Sequence, residues 1–239
     1  MCPLRGQSLE ARLAVQASVR HAGSSAVSDY NRLIEKAARA RLAPIACIQQ
    51  GRSRTWLDDH GWWVGVIDFH PSSWSKGTYL NVGACWLWDG DDHFSFDYGY
   101  RVQGFQAYED DDQFTPIANR VATKAEAAVK RLRRKFPTVR AVAWRLRLKL
   151  SMGVWDHYHV AIANGLAGKV RVARRHFELL SQPDEDRRDW VCDLKARAEV
   201  LSRALSDPSH FESEVRNMVA ASRQLVGLPP LDQRFRFDA

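Results

Sequence analysis

Apolar positions recur along this chain with two different periods, and the switch between them outlines its organisation. From Ser28 onward, Tyr30, Leu33, Ile34, Ala37 and Ala38 fall on one face at helical spacing, with Ser28 placed to cap the helix and Pro44 to end it. Before it lie a weaker helical stretch, Leu9 to Val19, and a break at Gly23-Ser24-Ser25. From Pro44 to Tyr100 the pattern changes to short runs rich in Trp, Tyr, Phe and Val, punctuated by Gly and Asp. These predict strands near Ile45 to Gln50, Trp62 to Phe69, Thr78 to Trp88 and His93 to Tyr100. Asp58-Asp59-His60-Gly61 and Asp89-Gly90-Asp91-Asp92 are turn sequences between such runs, which predicts antiparallel hairpins.

Helical spacing returns after an acidic run, Glu109 to Asp112, with a helix predicted from Thr115 to Phe136. Pro116 suits its first turn, and the carboxylates suit the positive end of the helix dipole better than a calcium loop. The alternation in Arg145, Leu146, Arg147, Leu148, Lys149 and Leu150 predicts a strand. Tyr158 to Ala163 and Val170 to Leu180, joined across Gly165 and Gly168, predict a helix pair. Its ending resembles one tetratricopeptide-like unit, but no second copy follows, so an ordinary helix pair is expected. Two more helices are predicted, near Arg187 to Leu205 and Pro208 to Val226. The expected fold is α+β, an antiparallel sheet of four to five strands packed on helices and followed by a helical C-terminal region. The expected divisions are an extension over 1–27, an α+β domain over 28–152 and a helical region over 153–239.

The 239 residues are 45% hydrophobic, enough for a substantial core. A formal charge of +7 permits contact with anionic partners without requiring it. Cys2, Cys47, Cys85 and Cys192 form no C-x-x-C pair, so reduced thiols are expected. The N-terminus lacks the apolar core of a signal peptide, and no window reaches the roughly 20 apolar residues of a membrane span. The expected location is the cytoplasm, with no membrane partner.

Side-chain alternation places Tyr79, Asn81, Gly83 and Cys85 on one face of their strand, opposite Leu80, Val82, Ala84 and Trp86. In the next predicted strand Phe94, Phe96, Tyr98 and Tyr100 share a face, opposite Ser95, Asp97 and Gly99. Pairing the two brings Asn81, Gly83, Ser95 and Asp97 onto a polar, glycine-containing face, joined by Asp68 or His70, that a ligand can approach closely. The other reading of this face is the solvated side of an antiparallel sheet.

The run Val66-Ile67-Asp68-Phe69-His70-Pro71-Ser72-Ser73-Trp74-Ser75-Lys76-Gly77-Thr78-Tyr79-Leu80-Asn81-Val82-Gly83 resembles the centre of a bacterial family described only as domain of unknown function number 4304. The matching features are Phe69 closing a strand, Trp74 in a Ser/Trp connection, and the Asn81-x-Gly83 pair. The resemblance covers about residues 28 to 140 and implies a compact α+β module without supplying an activity.

Catalytic signatures are absent from the sequence: there is no G-x-S-x-G elbow, P-loop, dinucleotide fingerprint or H-E-x-x-H. His157 and His159, two apart, diverge on a helix and predict no metal site. No catalytic residue, metal or cofactor is therefore nominated. Between Ala127 and Trp155 stand Lys130, Arg131, Arg133, Arg134, Lys135, Arg140, Arg145, Arg147 and Lys149, with no Asp or Glu. Of these, Arg131, Arg134, Lys135, Arg145, Arg147 and Lys149 are the candidates for tracking the phosphates of a nucleic acid or another polyanion. The alternative is a solvated helix face followed by a charge-guarded edge strand. The first functional expectation is a non-catalytic module for protein–protein interaction through its helices or polar sheet face. The second is polyanion binding through 127–155, and the third an enzyme on the face holding Asn81 and Asp97. Oligomeric state is left open.

Overall fold

The structure, a computed structural model, describes residues 29–182, 188–232 and 235–237. The expected extension over 1–27, the Leu9 to Val19 helix and the Ser28 cap lie outside the described residues. The chain forms two compact units. Of the described residues, one unit comprises those through Cys85 together with His93–Leu132, and the other Trp86–Asp92 together with those from Arg133 onward. The expected boundary at 152/153 falls inside the second unit.

In the first unit, helix α1 (Asp29–Leu42) buries Ile34, Ala37, Ala38 and Leu42. It runs into a short 3-10 turn, Ala43–Ile45, where Pro44 and a left-handed Ala46 (φ 64°) stop the helical path. Five strands follow in a sheet ordered as in sequence, β1 (Ile48–Gln49), β2 (Thr55–Asp59), β3 (Trp63–Asp68), β4 (Gly77–Trp86) and β5 (Tyr98–Ala107). The expected α+β class with an antiparallel sheet and C-terminal helices is what the structure has.

Three strand assignments need correction. Ile45 to Gln50 shrinks to two residues because the 3-10 turn takes its start, and the strand entering the second hairpin is Thr55–Asp59. That hairpin turns at Gly61 (φ 81°), whose N–H donates to Asp59 Oδ1 at 2.9 Å. The last strand begins at Tyr98 rather than His93, so Ser95 and Asp97 lie in the connection before it.

Helix α2 (Asp111–Lys135) starts four residues before the expected Thr115, which puts Pro116 inside it. The acidic run makes this possible: Asp110 Oδ1 accepts the Gln113 N–H at 2.8 Å, and Asp111 and Asp112 occupy the first turn. Phe114, Ala118, Val121, Ala122, Ala125, Val129 and Leu132 form its buried stripe.

The second unit is helical: α3 (Val139–Leu146), α4 (Val154–Leu166), α5 (Val170–Ser181), α6 (Asp189–Ala204) and α7 (Pro208–Leu225). Helix α4 touches each of the other four, so Tyr158 to Asn164 are buried on every side. The strand expected at Arg145 to Leu150 is instead the end of α3 and the turn after it. Thr138 Oγ1 caps α3 by accepting the Ala141 N–H at 3.2 Å, and Val139, Val142 and Ala143 bury at helical spacing. The Asp89-Gly90 turn also belongs here. Trp86 stacks on Trp88 (5.7 Å), Trp88 Nε1 donates to His159 Nδ1 at 3.1 Å, and Arg197 donates to the Asp89 carbonyl. Gly and Asp between two apolar runs predicted a hairpin corner here, but Trp86 and Trp88 serve a helical core.

Candidate functional site

The most developed polar constellation lies within the first unit, on the side of the sheet that carries Asn81. Strand β3 ends at Asp68, and two residues on His70 turns back so that its Nδ1 lies 3.1 Å from Asp68 Oδ2. A carboxylate only accepts, so Nδ1 carries the hydrogen and Nε2 of the neutral ring is an acceptor. On β4, Asn81 is 8% exposed. Its Nδ2 points at the same Asp68 oxygen (3.4 Å), and its Oδ1 accepts from Arg101 Nε at 3.2 Å. This network fixes the amide orientation, since only the oxygen can face the guanidinium and only the nitrogen the carboxylate.

Register explains why these groups meet. Asn81 lies opposite Arg101 across the β4–β5 pair, and irregularities between Thr78 and Asn81 bring the two together. The guanidinium lies over the Tyr79 ring, 4.4 Å from its centroid, and Tyr79 packs against Phe105 at 5.2 Å. Among the described residues neither Nη nitrogen of Arg101 has a protein partner, and the residue is exposed. A guanidinium held by Nε and by one face presents its outer fork, the geometry that takes a carboxylate or phosphate through two parallel hydrogen bonds. Arg54 adds a second cation to the Asp68 field. Its guanidinium donates to Asn31 Oδ1 (3.0 Å) and Thr78 Oγ1 (2.7 Å), and burial holds it below the ordinary arginine value against the opposing effects of Tyr30 and Asp68.

The four residues expected on the polar face do not share one site. Asn81 belongs to the network above. Gly83 pairs with Gly99, and the space above them is filled by Phe96: a Cβ on Gly83 would lie 2.5 Å from the Phe96 ring, and one on Gly99 2.9 Å from it. The glycines admit a ring of the chain itself rather than a ligand. Ser95 and Asp97 bond to each other (2.9 Å), with Ser95 Oγ 3.3 Å from Cys85 Sγ. The face is half-covered, not solvated, because β4 is buried along nearly its whole length.

Of the expected polyanion residues, Arg131, Arg134 and Arg147 are exposed. Lys135 is half-buried, its carbonyl accepting Arg145 Nε at 2.8 Å, and Lys149 pairs with Asp156 at 2.7 Å. Sequence reasoning passed over Trp144, which is 56% exposed on α3. It also passed over His176, whose Nδ1 lies 2.9 Å from His157 Nδ1. His157 and His159 diverge, as their spacing on a helix requires: His159 serves Trp88 and His157 serves His176. Burial lowers both rings of the His157–His176 pair, His176 to about 4, where His157, Arg175 and Arg147 add to the effect.

Comparison with known proteins finds no matching family model, no matching curated protein and no matching solved structure.

Proposed function

We propose that the chain is a non-catalytic protein-interaction module, and that the sheet face around Arg101 receives a carboxylate from an extended segment of its partner. The Arg101 fork, anchored by Asn81 and backed by Tyr79 with both Nη nitrogens unused among the described residues, is the observation that carries this reading. Strand β5 ends the sheet order and is exposed or half-exposed throughout, which suits addition of an extended segment beside it. The resemblance to domain-of-unknown-function family 4304 stays part of the proposal and carries no activity.

We place the module in the cytoplasm. The four cysteines form no C-x-x-C pair in the sequence, which suits reduced thiols in a reducing compartment. No helix among the described residues is long and apolar enough to cross a membrane.

The test is an NMR titration of the isotope-labelled chain with a short extended peptide carrying one central Glu, beside the same peptide with Gln. The Glu peptide is expected to shift Tyr79, Asn81 and Arg101 resonances, and Arg101→Gln to abolish the response. Equal responses to the two peptides, or none at millimolar peptide, would sink the proposal.

A further inference from the structure

We propose that the exposed side of α3, in the second unit, binds single-stranded nucleic acid, with Trp144 as the platform on which a base stacks. This surface is independent of the Arg101 site. Helix α3 turns Val139, Val142 and Ala143 inward. The residues Arg140, Trp144 and Arg147 follow at i, i+4 and i+7, and all three are exposed. Arg147 keeps helical angles (φ −67°, ψ −19°), so the spacing holds through the last of them. The indole thus shares its stripe with an arginine a turn before it and another a turn after. A third, Arg145, lies 5.4 Å from its ring centroid.

The segment that carries it is basic in sequence. No Asp or Glu occurs between Ala127 and Trp155, and the next acid, Asp156, is already occupied by the Gly153 N–H (2.9 Å) and Lys149 (2.7 Å). An aromatic ring open to solvent and bordered by cations matches the two contacts that sequence-tolerant single-strand binding uses, base stacking and phosphate pairing. A paired base has no free face to offer, which favours a single strand over a duplex. An apolar protein groove covering Trp144 and the exposed Leu148 would also have to bury Arg140 and Arg147 on the same stripe, at a desolvation cost that phosphates offset and apolar walls do not.

The experiment is fluorescence anisotropy on the full chain at about 50 mM salt, rising in steps. The probes are labelled oligothymidine of about 12 nucleotides, within the ~4–16 nucleotide range of single-strand sites, a duplex of equal length, polyglutamate, and phosphatidylserine-containing vesicles. Oligothymidine is expected to bind tightest. Trp144→Ala is expected to weaken it at least ~5-fold, Trp144→Phe to retain most of the affinity, and Arg147→Gln to reduce the slope of log affinity against log salt by about 0.7. Both positions are exposed, and far-UV circular dichroism checks the fold of each variant. The proposal fails if oligothymidine does not bind, if Trp144→Ala binds it like the wild type, or if duplex, polyglutamate or vesicles bind as tightly as the single strand.

Discussion

The sheet face around Asn81 and the exposed side of α3 both present arginine to solvent, but they hold it in opposite ways. Arg101 is fixed through Nε by a buried amide, and that amide is fixed by a carboxylate that also holds His70. Arg147 is an exposed residue at the end of a short helix whose packing is done by other residues. The first surface is pre-organised, so a ligand there loses little side-chain entropy and its geometry is selective. The second is adaptable, an exposed indole beside the exposed Arg147. Substitutions near Arg101 should therefore couple to folding, and those along α3 should not.

The largest effect tests how tightly the sheet face is closed. Gly83→Ala is expected to cost about 2–3 kcal/mol in urea denaturation. Its Cβ would meet the Phe96 ring at 2.5 Å, the Tyr98 carbonyl at 2.8 Å and the Gly99 Cα at 3.0 Å, and two of these are backbone. Phe96→Ala should rescue only the part due to the ring, leaving a coupling of about 1 kcal/mol in the double mutant. A cost below about 0.5 kcal/mol for Gly83→Ala would mean that the face is open and that the covering ring is not fixed.

Next in size is Asn81→Leu, expected to cost about 1–2 kcal/mol because it leaves Asp68 and Arg101 each short of a partner in a half-buried setting. It should also weaken the Glu peptide as much as Arg101→Gln does. Arg101→Gln itself should change stability by no more than about 0.5 kcal/mol, since the side chain is exposed and its outer nitrogens are unused. A cost above about 1 kcal/mol would recast Arg101 as a strut of the sheet and sink its reading as a fork open to a ligand.

The same contrast explains what the sequence allowed one to infer. Helices α1, α4, α5, α6 and α7 were legible because their apolar spacing is carried by residues that pack locally, and Asp207 with Pro208 marks the start of α7 as a capped first turn. Asn81 was legible as a face residue, with Asp68 or His70 as neighbours, from alternation alone. Arg101 was not, because the aromatic alternation at Phe94, Phe96, Tyr98 and Tyr100 satisfies a strand pattern several residues early. Burial of Phe94 and the seating of Phe96 on two glycines have the same sequence signature as strand alternation. The 145–150 segment failed for a related reason: alternating Arg and Leu mimics a strand, and the deciding signals were the Thr138 cap and the buried triad after it. Trp144 needed only that correction to appear on the exposed stripe with Arg140 and Arg147.

The smallest effect belongs to the helical unit and concerns acid. His157 on α4 and His176 on α5 meet through their Nδ1 atoms, and both are held below the ordinary value of 6.5, chiefly by burial, His176 to about 4. Arg175 and Arg147 oppose protonation of His176, while Asp156 favours protonation of His157. With the folded value depressed, the unfolded chain binds protons that the folded chain refuses. Stability is then complete above about pH 6.5 and declines as the pH falls toward about 4, where the difference in proton uptake ends. Both rings keep contact with water, so the decline is shallow. Urea denaturation at steps between these limits should show it, and His176→Gln should flatten the slope by removing the more depressed ring. A His176→Gln profile parallel to the wild type would mean that the contact between α4 and α5 carries no proton linkage and that acid sensitivity arises elsewhere in the chain.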